Sequence, residues 1–268
     1  MKTILTLLLS LTTLGALAGE PSAPTVAELS AEIDALKAKT STWDRILARL
    51  PKISGYVQTG YEWSETSSTF FIKRVRLNLA GDVAPKLDYR VQVEFMSPKV
   101  VDAYVRYRPF DQLNFQLGEY KVPFSIENTD YVPLKYEFID DVCGLSATGR
   151  DLGAMVYGGF FNKKGYSILS YDLAVLNGEG LNTKDKNKSK DIAARMTLRP
   201  ARGLQISGSY YWGEYGSEYL KRIRYSAGAC YDQGPVVLRS EYIYGTTGLP
   251  SGGEFDSGGW YAIGGWRV

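Results

Sequence analysis

From Ile53 onward the side chains alternate apolar and polar with a period of two, and the connections between these runs sort by length according to parity. On one side, the segments at roughly 64–69, 96–99, 121–149, 177–190, 213–220 and 245–258 are varied and mostly long. On the other, 82–86, 109–112, 161–165, 200–203 and 232–235 hold about five residues or fewer. A soluble sandwich has no reason to sort its loops this way. A sheet threaded through a bilayer does, with short turns on one side and longer loops on the other. The pattern predicts an all-β chain, an antiparallel transmembrane β-barrel over 53–268, with about twelve strands of about ten residues each.

The alternation also assigns sides. The second run carries Val75, Leu77 and Leu79 against Arg74, Arg76 and Asn78; the third sets Leu87, Tyr89, Val91, Val93 and Phe95 against Asp88, Arg90, Gln92 and Glu94. The fourth alternates Val101, Ala103, Val105 and Tyr107 with Asp102, Tyr104, Arg106 and Arg108. Arg195 and Arg199 in the eighth run and Arg222 and Arg224 in the tenth repeat the theme. An arginine held against lipid at the bilayer midplane costs several kcal/mol, so these faces are predicted to line a wet interior with the apolar faces outside. A soluble antiparallel sheet would carry the same pattern with the sides reversed.

The N-terminus separates the two. Lys2, the apolar run 4–17 and the Ala16-Leu17-Ala18 site read as a secretory signal over 1–18. Next, Val26, Leu29, Ile33, Leu36, Thr40, Trp43, Leu47 and Leu50 recur at steps of three and four, and Pro51 ends the run. That seam predicts a periplasmic coiled-coil helix within 19–52 joining protomers, most simply three; an amphipathic helix packed under the barrel is the plainer alternative. The 20 Tyr and 5 Trp suit aromatic girdles at both membrane interfaces. A net charge of +2 gives no reason to expect a nucleic-acid partner. Cys143 and Cys230 fall in a loop and on an inward strand position, and two cysteines are weak grounds for a bridge.

Guanidinium groups stay charged and bind oxyanions bidentately, and rings of basic groups in a pore select anions. The plainer reading pairs the inward arginines with Asp88, Glu94 and Asp102 to stiffen the wall. The third long loop, 121–149, contains Pro123, Phe124, Tyr131, Tyr136 and Phe138, enough apolar surface to pack into the lumen as a constriction or above it as a cap. Its charges are Lys121 and Lys135 against Glu127, Asp130, Glu137, Asp140 and Asp141, so the loop is acidic overall.

Four segments carry a family resemblance: Phe71-Ile72-Lys73-Arg74-Val75-Arg76-Leu77, the run Gly118-Glu119-Tyr120-Lys121-Val122-Pro123-Phe124-Ser125-Ile126-Glu127, Gly149-Arg150-Asp151-Leu152-Gly153, and Ala174-Val175-Leu176-Asn177-Gly178. Together and in this order they resemble the phosphate-selective porins of the O and P type. The resemblance implies a trimeric, sixteen-stranded outer-membrane channel whose third loop enters the lumen. It also implies an arginine ladder, here Arg74, Arg76, Arg90 and Arg106, leading to a basic constriction with Lys121 as candidate. Arg108, Arg150, Arg195, Arg199, Arg222 and Arg224 extend the candidate anion path. Two departures stand out. The third loop is acidic, and the chain stops at Trp266-Arg267-Val268 with fewer strands than the family pattern, so it reads as C-terminally shortened.

Histidine is absent, which removes Ser-His and Cys-His nucleophile systems and His-ligated zinc. No enzyme activity and no cofactor are implied. The expectation is a Gram-negative outer-membrane channel, in contact with lipid, passing small hydrophilic solutes with a preference for anions. The alternatives are a structural barrel tethering the envelope, and a sugar or nucleotide channel in which Tyr104 stacks on the solute.

Overall fold

A computed structural model describes residues 29–35, 37, 50–130, 149–163 and 165–267; within these, the side chains of Thr129 and Asp130 are not described. The chain divides into two units, Met1–Arg49 and Leu50–Val268. In the first, residues 29–35 and 37 are helical, Lys37 pairs with Asp34 at 3.6 Å, and the seam residues Leu29 and Ile33 are exposed. Val26, Leu36, Thr40, Trp43 and Leu47 lie outside the described residues, as does the signal segment.

The second unit is one antiparallel sheet of twelve strands in sequence order, each paired with its neighbours in the chain. They are β1 Lys52–Trp63, β2 Ser68–Ala84, β3 Leu87–Glu94, β4 Lys99–Phe110, β5 Leu113–Lys121, β6 Arg150–Lys163, β7 Tyr166–Leu176, β8 Asp191–Ala201, β9 Leu204–Tyr215, β10 Leu220–Gln233, β11 Val236–Gly248 and β12 Glu254–Trp266. A short helix, Ile126–Asp130, follows β5. β1 and β12 form the two edges of the sheet; they do not pair with each other among the described residues.

The loop boundaries differ from the sequence reading. The turn read at 82–86 shrinks to Pro85-Lys86, because β2 runs to Ala84 and Lys86 takes φ 65°. Every connection on that side is two residues long, and Gly165, Gly203 and Gly234 supply the positive φ such turns need (91°, 80° and 60°). On the opposite side only 122–149 and 177–190 are long. In the segments read as loops at 213–220 and 245–258, the strands extend inward and leave only 216–219 and 249–253 as turns. Strand lengths run from 8 residues in β3 to 17 in β2 rather than about ten.

The sheet is curved. Ser125 lies four residues beyond the end of β5, a reach of about 14 Å, yet it bonds to Ser209 on β9 and Glu241 on β11. In a flat sheet, six strand spacings would separate β5 from β11 by about 29 Å. The concave face is therefore partly filled by the segment after β5.

Burial is inverted relative to a water-soluble protein. On β8, Arg195 and Thr197 are 6% and 2% exposed while Met196 between them is 59% exposed. On β11, Arg239 and Glu241 are buried between exposed Leu238 and Tyr242. Exposed aromatics gather near both strand ends: Trp63, Phe70 and Phe255 beside the longer loops, and Phe110, Phe161 and Trp266 beside the tight turns. Apolar surface gains about 25 cal/mol per Å² on leaving water, so this outer face is built for hydrocarbon, with amphipathic rings at the two interfaces.

Candidate functional site

The concave face of β2–β6 carries a ladder of ion pairs. Nearest the tight turns, Asp88 accepts from Arg106 at 2.8 Å and from Arg108 at 2.6 Å. Above them, Asp102 takes Arg150 at 2.8 Å and Arg90 at 3.5 Å. Higher still, Arg76 donates to Glu94 at 2.8 Å, and Glu94 also accepts the backbone N–H groups of Val75 and Met96. These are the three carboxylates that the plainer sequence reading named. Arg74 sits two residues beyond Arg76, in register with Gln58, and makes no ion pair among the described residues.

On the opposite wall the arginines also bond neutral oxygens, while Arg195 lies in register with Asp172 and Arg222 close to Asp191. Arg199 donates to Ser170 at 2.8 Å and Arg195 to Ser207 at 3.4 Å. Arg222 reaches the Gly178 carbonyl at 3.0 Å and stacks on Tyr215 at 4.3 Å. Arg224 bonds the carbonyls of Ile223 and Thr246 and the Thr247 hydroxyl at 2.7–2.8 Å. Tyr104, weighed as a solute-stacking ring, lies 5.4 Å from the Arg106 guanidinium and so packs within the wall.

The segment 121–128 shows why its sequence motif takes the form it does. Gly118 has φ 130°, and a Cβ there would sit 2.1 Å from the Ala103 carbonyl oxygen, so no other residue fits that approach. Lys121 closes β5 in register with Arg150 and is half-buried. Val122 bonds the Gly149 carbonyl, and the Asn128 amide closes the loop neck onto the carbonyls of Val122 and Gly149 at 3.0 and 2.9 Å. Phe124 meets Tyr211 edge-on at 6.4 Å within a cluster that includes Tyr120, Val122, Leu176 and Ile243. Ser125 caps the short helix by accepting from the Glu127 N–H at 3.1 Å. Glu127 is buried; Lys135, Asp140, Asp141 and Cys143 lie outside the described residues, and Cys230 is buried on β10.

The other two motifs form a junction. The Asp151 carboxylate accepts the N–H groups of Leu152 and Gly178, both at 2.7 Å, and more weakly that of Gly180. Asp191 accepts from the Tyr211 hydroxyl and the Glu214 N–H. The loop 177–190 is pinned at both ends of its span. Asn182 bonds Glu119 and the Val100 carbonyl, and Asn187 bonds the carbonyls of Glu214 and Gly216. Along this loop Lys184, Lys186, Lys188 and Lys190 are exposed at every second position. Lys186 pairs with Glu179 at 3.6 Å and Lys190 with Asp185. Sequence reasoning passed over this lysine row although its alternation is visible, and it passed over Arg239, Glu241, Asp151 and Asp191.

A curved antiparallel sheet with an apolar exterior and a guanidinium-lined concavity defines a porin. The chain belongs to the phosphate-selective porin O and P family, whose model matches residues 54–218, and it is an outer-membrane protein. Among solved structures it is similar to the anion-selective porin from Comamonas acidovorans, with 15% identity, a TM-score of 0.58, and coverage of 79% of this chain and 73% of that one. It also matches the trimer form of OmpT from Vibrio cholerae, at 12% identity, 81% and 84% coverage and a TM-score of 0.42. No curated protein matches.

Proposed function

We propose that this porin is a passive channel through which small hydrophilic solutes cross the outer membrane, with anions favoured. One observation carries the preference. On the concave wall of β2–β6, six guanidiniums (Arg74, Arg76, Arg90, Arg106, Arg108 and Arg150), with Lys99 and Lys121 in register beside them, face six carboxylates (Asp82, Asp88, Glu94, Asp102, Glu119 and Asp151). The excess is positive, and low-dielectric walls focus its field on the bore. Arg199, bonded to the Ser170 hydroxyl, adds to it; Arg195, Arg222 and Arg224 continue the basic lining, with Asp172 in register with Arg195 and Asp191 close to Arg222. The lysine row of loop 177–190 gathers anions at the mouth.

In this reading the third loop narrows the lumen, with Lys121 at the constriction and Glu127, Asp130, Lys135, Asp140 and Asp141 tuning it. The acidic share of that loop moderates selectivity, so phosphate is one of several anions carried. The helix within 19–52 joins three copies. Reversal potentials in planar bilayers under a potassium chloride gradient test the proposal. A potential on the chloride side supports it; zero or cation-side potential overturns the anion preference, and an absence of conductance steps overturns the channel.

A further inference from the structure

The segment that enters the concavity is bonded across it to strands far along the sheet from those it connects. Its neck bonds only close the loop upon itself. The contacts that reach across come from β9, β10 and β11. The Glu241 carboxylate accepts the Ser125 hydroxyl at 2.8 Å and the Ile126 N–H at 3.1 Å, and its remaining lone pairs take the Tyr261 hydroxyl at 3.0 Å. The Ser125 N–H donates to the Ser209 hydroxyl at 3.2 Å. Ile126 lies against Gly228, where a Cβ would come within 2.8 Å of its Cδ1.

We propose that Glu241 is the positioning residue that fixes the start of the third loop, at Ser125 and Ile126, against the far wall and thereby sets the width of the channel. Three features support this. Glu241 is 1% exposed, and a buried carboxylate must keep its donors. Two of its three donors named above belong to the loop, so displacing the loop would leave only the Tyr261 hydroxyl of these three. The grip falls on Ser125, whose φ of 67° is an unfavourable conformation for a serine and persists only when surroundings enforce it. The apolar contacts of Phe124 and Ile126 are less directional, so the carboxylate decides where along the wall the loop sits. The same arrangement places Ser125 where its hydroxyl is committed to the wall and not presented to a passing anion.

The inference rests on the channel reading for its consequence, but its geometry can be tested separately. The full chain, refolded in detergent, is compared as wild type, Glu241→Ala, Glu241→Gln and Ser125→Ala/Glu241→Ala. Two readouts are taken: amide exchange over 122–128, and the largest neutral polyethylene glycol that lowers single-channel conductance. In Glu241→Ala, exchange at Ile126, whose N–H loses the carboxylate, accelerates by about tenfold or more, the effect of losing a hydrogen bond to a charged group, and larger polymers enter. Glu241→Gln, which keeps an acceptor, falls between wild type and alanine. The double variant matches Glu241→Ala in exchange at Ile126 and in polymer cutoff. Wild-type exchange and polymer cutoff in a folded Glu241→Ala protein overturn the assignment. Should Glu241→Ala fail to fold, Ser125→Ala/Tyr261→Phe removes two of the three donors and is judged by the same criteria. A wild-type protein that does not conduct sinks the channel reading, while the exchange pattern still decides whether Glu241 holds the loop.

Discussion

Arg76 and Glu94 face each other in register across β2 and β3, with the guanidinium Nε 2.8 Å from the carboxylate. The pair is nearly shielded from bulk water, so the positive charge that the sequence places on this wall is partly cancelled where it stands. Charge available to a solute is set by the excess over such pairs, not by the number of arginines.

Glu94→Gln is expected to raise the chloride-to-potassium permeability ratio. Removing one unit charge about 6 Å from the ion path changes its energy by about 0.7 kcal/mol in water, a factor of about three. Reversal potentials measure it. An unchanged ratio would place this pair outside the conducting path.

Arg74 and Arg76 should not contribute equally. Arg74 has no ion pair among the described residues, whereas Arg76 shares Glu94. Arg74→Gln is expected to lower the anion preference by about the same factor of three. Arg76→Gln leaves a buried Glu94 uncompensated and should lower it at least as much, while also lowering stability. Neutralising both with Gln and finding an unaltered reversal potential would remove them from selectivity.

Gly118→Ala forces a Cβ to within 2.1 Å of the Ala103 carbonyl at φ 130°. A cost of about 1–3 kcal/mol from backbone strain is expected, with more from the clash. The heat-modifiable mobility of the folded protein on a gel should shift to a lower unfolding temperature. The same midpoint in the variant would mean that β4 and β5 can separate to accept it.

Deleting residues 26–50 is expected to reduce the trimer on native gels while leaving the strand signal in circular dichroism intact. The exposure of Leu29 and Ile33 in a single chain gives the helix an apolar stripe for a partner. An undiminished trimer would reassign the helix to another role.

Much of the wall was legible in the sequence because each strand of β2, β3, β4, β8 and β10 sets charged residues at alternate positions against apolar ones. Even the carboxylates Asp88, Glu94 and Asp102 could be named as partners, since neighbouring strands in sequence are neighbours in the sheet. Loop limits were harder, for a physical reason. Gly213 and Gly245 look like turn residues, yet both lie within strands and face inward, leaving room for buried side chains. A Cβ at Gly213 would collide with the Asp191 carboxylate at 1.9 Å, and one at Gly245 with Arg224 Cδ at 2.4 Å. Glycine here makes space and does not break the strand. Glu241 was illegible in another way. Its partner Ser125 lies 116 residues away, and only the curvature of the sheet brings them together.

The inverted burial has a consequence for biogenesis. A chain whose greasy side chains point outward has no aqueous state in which that surface is satisfied. Crossing the periplasm is therefore a race between aggregation and insertion. Acyl chains stand in for the second layer that a soluble sheet would build from its own residues, so the stability of this protein is a joint property of polypeptide and bilayer, sensitive to the thickness of the membrane that receives it.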